Sequence, residues 1–321
     1  MISKRRIVGI KQEATQGAGA TFAVTDYILA DVEFPDYQFE NLERDYQRAS
    51  YSTLPHVVGK KTVAIKIKTE LKGSGTAGVP YAPLSAAIQA CAYTETLLPA
   101  ITPTSVNHLP LTVPVANFIG PGKSVCIEIC LGGTAIGTKH IIKGCVGTWK
   151  ISGEINKLAM IEFDFKGQYV TPATADLPST TYLPQLPVVW QNSTISIHGF
   201  GTANVKKWEI DAGNDIQLNE DSTVGKDGIG GWFVAGRKPK ASIELLTIGL
   251  ATFDPRAIAA SGAIASASLT VGTIAGNIIT LTMPKTQLDK KYGELNSQIT
   301  DQLSLIPSRD TGDDWLRMVI T

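Results

Sequence analysis

Gly73-Ser74-Gly75-Thr76-Ala77-Gly78 has the spacing of a dinucleotide-binding loop and follows a run with strand alternation. Such a site needs its last glycine to open a helix whose N-terminus meets the pyrophosphate. Pro80 and Pro83 follow instead, and each disfavours helical geometry in the residue before it. A tight turn is the better reading. Gly122-Lys123-Ser124 hints at a phosphate loop, but Asn117 stands where that pattern wants glycine. His56, His108, His140 and His198 have no ligand spacing to one another or to the cysteines. Asp211, Asp215, Glu220, Asp221 and Asp227 make an acidic stretch without the residue order of a calcium loop. Asn192-Ser193-Thr194 fits a glycosylation acceptor, yet nothing suggests secretion. No nucleophile has a nearby base motif. The expectation is a chain with no catalytic residue, no cofactor and no metal.

Composition narrows the class further. The chain has 321 residues, 43% hydrophobic and 18% charged, enough to bury a sizeable core. Twenty-nine basic residues balance 29 acidic ones, so no global affinity for nucleic acid is indicated. No long apolar run follows Lys4-Arg5-Arg6, and no signal peptide or membrane helix is expected. Cys126 and Cys130 share one face of a strand about 13 Å apart, too far for a disulfide. With Cys91 and Cys145 they read as buried thiols in a reducing cytoplasm.

The elements that would position any site are strands. From Thr62 to Leu71, Val63, Ile65, Ile67, Thr69 and Leu71 alternate with Ala64, Lys66, Lys68 and Glu70. Period two means one packed face and one wet face. A short helix from about 83 to 91 follows the glycine loop. Residues 1–25 read as an arm. Residues 35–55 read as a long loop dense in charge and tyrosine, with Tyr37, Arg44, Tyr46, Arg48 and Tyr51. So long an irregular connection asks for a use, and Tyr and Arg favour interfaces. The spacing predicts two hairpins, residues 124–131 with 136–142 and residues 146–151 with 158–165. A proline-punctuated linker covers residues 171–187.

The second half repeats the first. Glu33-Phe34, Leu42 and Asp45 match Glu209-Ile210, Leu218 and Asp221 at a shift of 176, and Val57-Val58-Gly59-Lys60-Lys61 matches Val234-Ala235-Gly236-Arg237-Lys238 at 177. Gly153-Glu154-Ile155-Asn156 matches Gly293-Glu294-Leu295-Asn296 at 140, with Phe163 and Phe165 on Leu303 and Leu305. The shift shrinks by 37 residues between the Lys61 strand and the Gly153 turn, the interval holding the glycine loop, helix and Pro/Thr-rich stretch in the first copy. Common order and steady shifts argue for duplication.

The strand, the segment Leu71-Lys72-Gly73-Ser74-Gly75-Thr76-Ala77-Gly78 with Pro80 and Pro83-Leu84 beyond it, and the flanking hairpins resemble the tail tube (major tail) proteins of long, non-contractile-tailed (siphovirus-type) bacteriophages. The resemblance implies a mainly β fold with two tandem β-sandwich or barrel domains and a short flanking helix. These would span residues 1–175 and a shorter 186–321, joined by a 176–185 linker. It implies a structural virion protein, made in the host cytoplasm, whose rings stack into a hollow tube that passes DNA. Partners would be further copies, as a homotrimer with pseudo-sixfold symmetry or alternatively a hexamer, and other tail proteins at the tube ends. The competing class is a soluble β-sandwich module that binds a ligand or partner in its loops.

On that reading Ile161, Phe163 and Phe165 face the core, and Glu162 and Asp164 face the lumen. Lys66, Lys68 and Glu70 share the wet surface by the same alternation. The matching positions in the second copy, Gln302 and Ser304, are uncharged, so acidic and neutral sectors would alternate. The 35–55 loop would pack on a neighbouring subunit or ring.

Overall fold

The computed structural model describes residues 5–47, 49, 52–97, 106–110, 123–132, 137–201, 204–222, 227–310 and 314–321. The first half contributes β1 (Arg6–Gln12), β2 (Tyr27–Ile28), β3 (Ala30–Val32), β4 (Asp36–Leu42), β5 (Val57–Glu70), helix α1 (Ala82–Gln89), β6 (Tyr93–Leu97), β7 (Val106–Pro110), β8 (Val125–Leu131), β9 (Thr138–Glu154), β10 (Met160–Tyr169) and β11 (Ala173–Thr174). The second half contributes β12 (Thr194–Ile197), β13 (Val205–Asp211), β14 (Asn214–Glu220), β15 (Ile229–Arg237), β16 (Lys240–Leu246), helix α2 (Pro255–Ser261), β17 (Ala265–Val271), β18 (Ile279–Leu295), β19 (Gln298–Ser308) and β20 (Arg317–Ile320). The protein is mainly β, and every pairing between these strands is antiparallel.

Alternation sets the faces. On β5, Val63, Ile65, Ile67 and Thr69 are buried while Lys66 and Lys68 are exposed. On β10, Ile161, Phe163 and Phe165 are fully buried, and the two phenyl rings stack with centroids 5.4 Å apart. Each such side chain contributes about 1.5–3 kcal/mol, so a one-residue slip is strongly disfavoured. One hydrophobic cluster runs from Val8 to Ile320 and draws on both halves.

The pairing order occurs twice. In the first half it runs β1, β8, β9, β10, β5, β3, and in the second β12, β17, β18, β19, β16, β13. Register repeats as well. Phe163 partners Ile67 and Ile67 partners Val32; Leu303 partners Ile243 and Ile243 partners Trp208, at shifts of 140 and 176. On the long strands Trp149 partners Phe163 as Lys290 partners Leu303. Strand β9 thus maps on β18 at a shift of 141, one residue beyond the value read from Gly153 and Gly293. The halves are joined directly, since β9 also pairs with β13.

Several sequence expectations are corrected. Residues 35–55 are not one loop, because Asp36–Leu42 forms β4 and pairs with β5. Four of its seven residues are charged or amide-bearing, which hid its alternation. The two strands expected at 136–142 and 146–151 are one 17-residue strand, β9. Gly144 at φ +62° and the irregular register opposite Lys166–Gln168 carry it from β8 onto β10 without a break. The segment read as an arm contains β1, which pairs with β8 along its full length. Buried Glu13 then holds the next turn, accepting from the amides of Gly17, Gly19 and Gly144 and from the Ser124 hydroxyl. The second half does carry a helix, α2. The shortfall falls after it: residues 90–124 separate α1 from β8, but only 262–264 separate α2 from β17.

The glycine loop has a packing explanation. The Gly73 amide donates to Asn277 Oδ1 at 2.7 Å and the Gly75 amide to the Gly276 carbonyl at 3.1 Å. A Cβ at Gly73 would lie 2.0 Å from the Gly276 oxygen. Gly73→Ala is therefore expected to destabilise the chain by about 1–3 kcal/mol, read as a lower urea midpoint.

Candidate functional site

Beyond the core, the alternation of β5 and β10 forces Lys66, Lys68, Glu70, Glu162 and Asp164 onto one outer face. Strand pairing brings all five together: Glu70 lies opposite Met160, Lys68 opposite Glu162 and Lys66 opposite Asp164. The face then continues across β9, β13, β16, β19 and the second part of β18.

Charge on this face is ordered. Asp31, Lys68, Glu162, Lys150, Asp211 and Lys240 are successive partners across six strands, and the sign alternates at each step. A second row runs Glu154, Lys207, Glu244, then Gln302 and Lys291. Opposite charges across a strand pair contribute roughly 0.2–1 kcal/mol each. Between the rows Lys150 Nζ meets Glu209 Oε1 at 2.9 Å. The hydrogen bond to Glu209 raises the Lys150 ammonium, and the charges of Asp211 and Glu162 act in the same direction. Partial burial raises the Asp164 carboxyl, while Lys66 and Lys166 pull it back down. At one end the β14–β15 hairpin crosses the face. Ile216, Trp232 and Val234 cover Val146, and Lys166 Nζ lies 5.7 Å from the Trp232 ring centroid.

The face is therefore charge-compensated, not acidic. Asp31, Lys150, Lys207 and Lys240 were missed by sequence reading, and Glu209 and Asp211 were read only as part of the repeat and of an acidic stretch. For Lys207, Glu209 and Asp211 the signal was available in Lys207-Trp208-Glu209-Ile210-Asp211, where charged and apolar residues alternate. Gln302 and Ser304 do lie on this face, but Lys240, Glu244, Asp289 and Lys291 stand beside them, so the sector is not neutral.

The other group of expected site residues is split. Tyr37 belongs to β4, where its hydroxyl bonds His140 Nδ1 and its ring meets Tyr169 edge-on at 5.5 Å. Burial lowers the His140 imidazole and raises the Tyr37 phenol. Tyr37 thus anchors the fold rather than standing free at a loop tip. Arg44 and Tyr46 follow β4 and are exposed. Arg48 and Tyr51 lie outside the described residues. What the β4–β5 hairpin does present is apolar: Leu42 pairs with Val57, Val58 lies beside them, and all three are about half exposed, as is Phe39. Lys60 on this hairpin bonds Glu220 of the β14–β15 hairpin.

A family model described as "Phage tail tube protein" matches residues 3–305. No curated protein matches the chain.

Proposed function

The chain belongs to the phage tail tube protein family, a structural and non-enzymatic family of the phage tail, and on that premise we propose that three copies close into a ring and rings stack into a long tail tube that conducts DNA. Each chain then supplies two tube units, near residues 1–175 and 186–321, linked through 176–185. The repeated strand order, with register conserved between halves, supports two units per chain. A head-to-tail contact closes into a ring when its rotation divides the circle, and two units per chain turn a threefold ring into a pseudo-sixfold one.

The observation that carries the reading is the broad, charge-alternating face across β3, β5, β10, β9, β13 and β16. We assign it to the lumen. A wall that neutralised many phosphates would bind DNA with steep salt dependence and hold it. A checkerboard of both signs gives a hydrated surface with no cationic track.

The half-exposed apolar end of the β4–β5 ladder, formed by Leu42, Val57 and Val58, fits contact between subunits or stacked rings, since such patches mark interaction surfaces. Replacing all three with Ser is expected to leave a folded chain, because none is buried. That variant should fail to pellet as polymer under conditions in which the unmodified chain does. Unimpaired polymer from it would remove this ladder end from the assembly.

A further inference from the structure

We infer that residues 291–295 of β18 pair antiparallel with residues 31–35 of the next copy, in the register of the β9–β13 junction inside the chain. The inference rests on the ring-forming reading above and names the edges that close the ring. Among the described residues, β3 pairs only with β5, and residues 288–295 of β18 pair only with β19. Each therefore keeps a free edge. Under the internal repeat β3 corresponds to β13, and the end of β18 corresponds to the end of β9. Strands β9 and β13 are joined along those same edges, with Ile151 partnering Ile210 and Ser152 partnering Glu209.

Three features carry over at the shifts of 141 and 176. First, the buried pair Ile151 and Ile210 becomes Tyr292 and Phe34, each 60% exposed in the single chain. Two large rings so exposed where the repeat buries aliphatic residues mark an unfinished core. Second, the Lys150–Glu209 ion pair becomes Lys291 with Glu33, both exposed and of opposite sign. Third, Pro35 fits. The Ala212 amide donates to the Trp149 carbonyl and the Ile155 amide to the Lys206 carbonyl, both at 3.0 Å. That phase puts Asp211 at a position without ladder bonds. Pro35 takes its place, so the missing N–H removes no rung. In the single chain Arg6 caps the β3 edge, donating to the Val32 carbonyl with its guanidinium 4.0 Å from the Phe34 centroid. Such a cap guards an open edge against wrong pairing and must swing aside when the neighbour docks.

Double-cysteine variants of the full chain test the junction. Directly opposed residues sit at disulfide distance, and the four native cysteines are buried. Phe34→Cys with Tyr292→Cys, oxidised after assembly, should give a ladder of covalent oligomers ending at the number of chains in the ring. The shifted pair Phe34→Cys with Glu294→Cys should give at least several-fold less. In parallel, Lys291→Glu should reduce pelletable polymer at least tenfold, and adding Glu33→Lys should restore it. Polymer that forms from the unmodified chain, with no Phe34–Tyr292 ladder and no rescue by the charge swap, overturns this junction and leaves the ring reading standing. An unmodified chain that never assembles overturns the ring reading and the junction with it.

Discussion

Asp301→Ala is expected to lower stability by about 3–5 kcal/mol, which is roughly 5–15 °C in melting temperature. Lys290 Nζ lies 2.9 Å from Asp301 Oδ1 with both side chains almost wholly buried, and Thr247 Oγ1 donates to the same carboxylate oxygen at 2.9 Å. Removing the carboxylate strands a buried ammonium and a hydroxyl donor. The first half shows that the fold does not need charges here, because Trp149 and Ile161 occupy the corresponding positions and are buried. Lys290→Met with Asp301→Leu should therefore stay within about 1–2 kcal/mol of the unmodified chain, since a well-packed apolar replacement of a buried pair is often neutral. Equal losses from the single and double substitutions would show that packing, not the uncompensated charge, sets the cost.

Reversing Glu162 and Asp164 to lysine is expected to slow DNA ejection on the order of tenfold at low salt and less at high salt. The ammonium introduced at position 162 would stand between Lys68 and Lys150, and the one introduced at position 164 would stand opposite Lys66. The checkerboard becomes a cationic track. Like charges facing one another also cost roughly 0.2–1 kcal/mol per pair, so a modest loss of stability should accompany the change. No core atom is altered, and tubes should still form. Virions carrying the reversal and ejecting at the normal rate at low salt would place this face away from DNA.

How much was legible in the sequence follows from which forces act locally. The inward sets of β5 and β10 could be read because alternation over a buried face is strict. The repeat could be read because matches such as Glu33-Phe34 with Glu209-Ile210 keep their spacing. What stayed hidden depends on partners far along the chain. Strand β4 is held by β5 and by Tyr169 rather than by its own pattern, so it looked like loop. The glycines at 73 and 75 serve a backbone approach to Gly276, about 200 residues away, so they imitated a phosphate loop. The charge rows emerge only when six strands are laid side by side. Each strand alone shows a polar face and nothing of the sign opposite.

The most direct test of the central claim is electron cryo-microscopy of polymer grown from the purified chain. Hollow rings of three chains, stacked into a tube, are expected, with the Asp31–Lys68–Glu162–Lys150–Asp211–Lys240 row on the channel wall. Rings of six full chains, tubes carrying that row on their outer surface, or monomers at every concentration tried would contradict it.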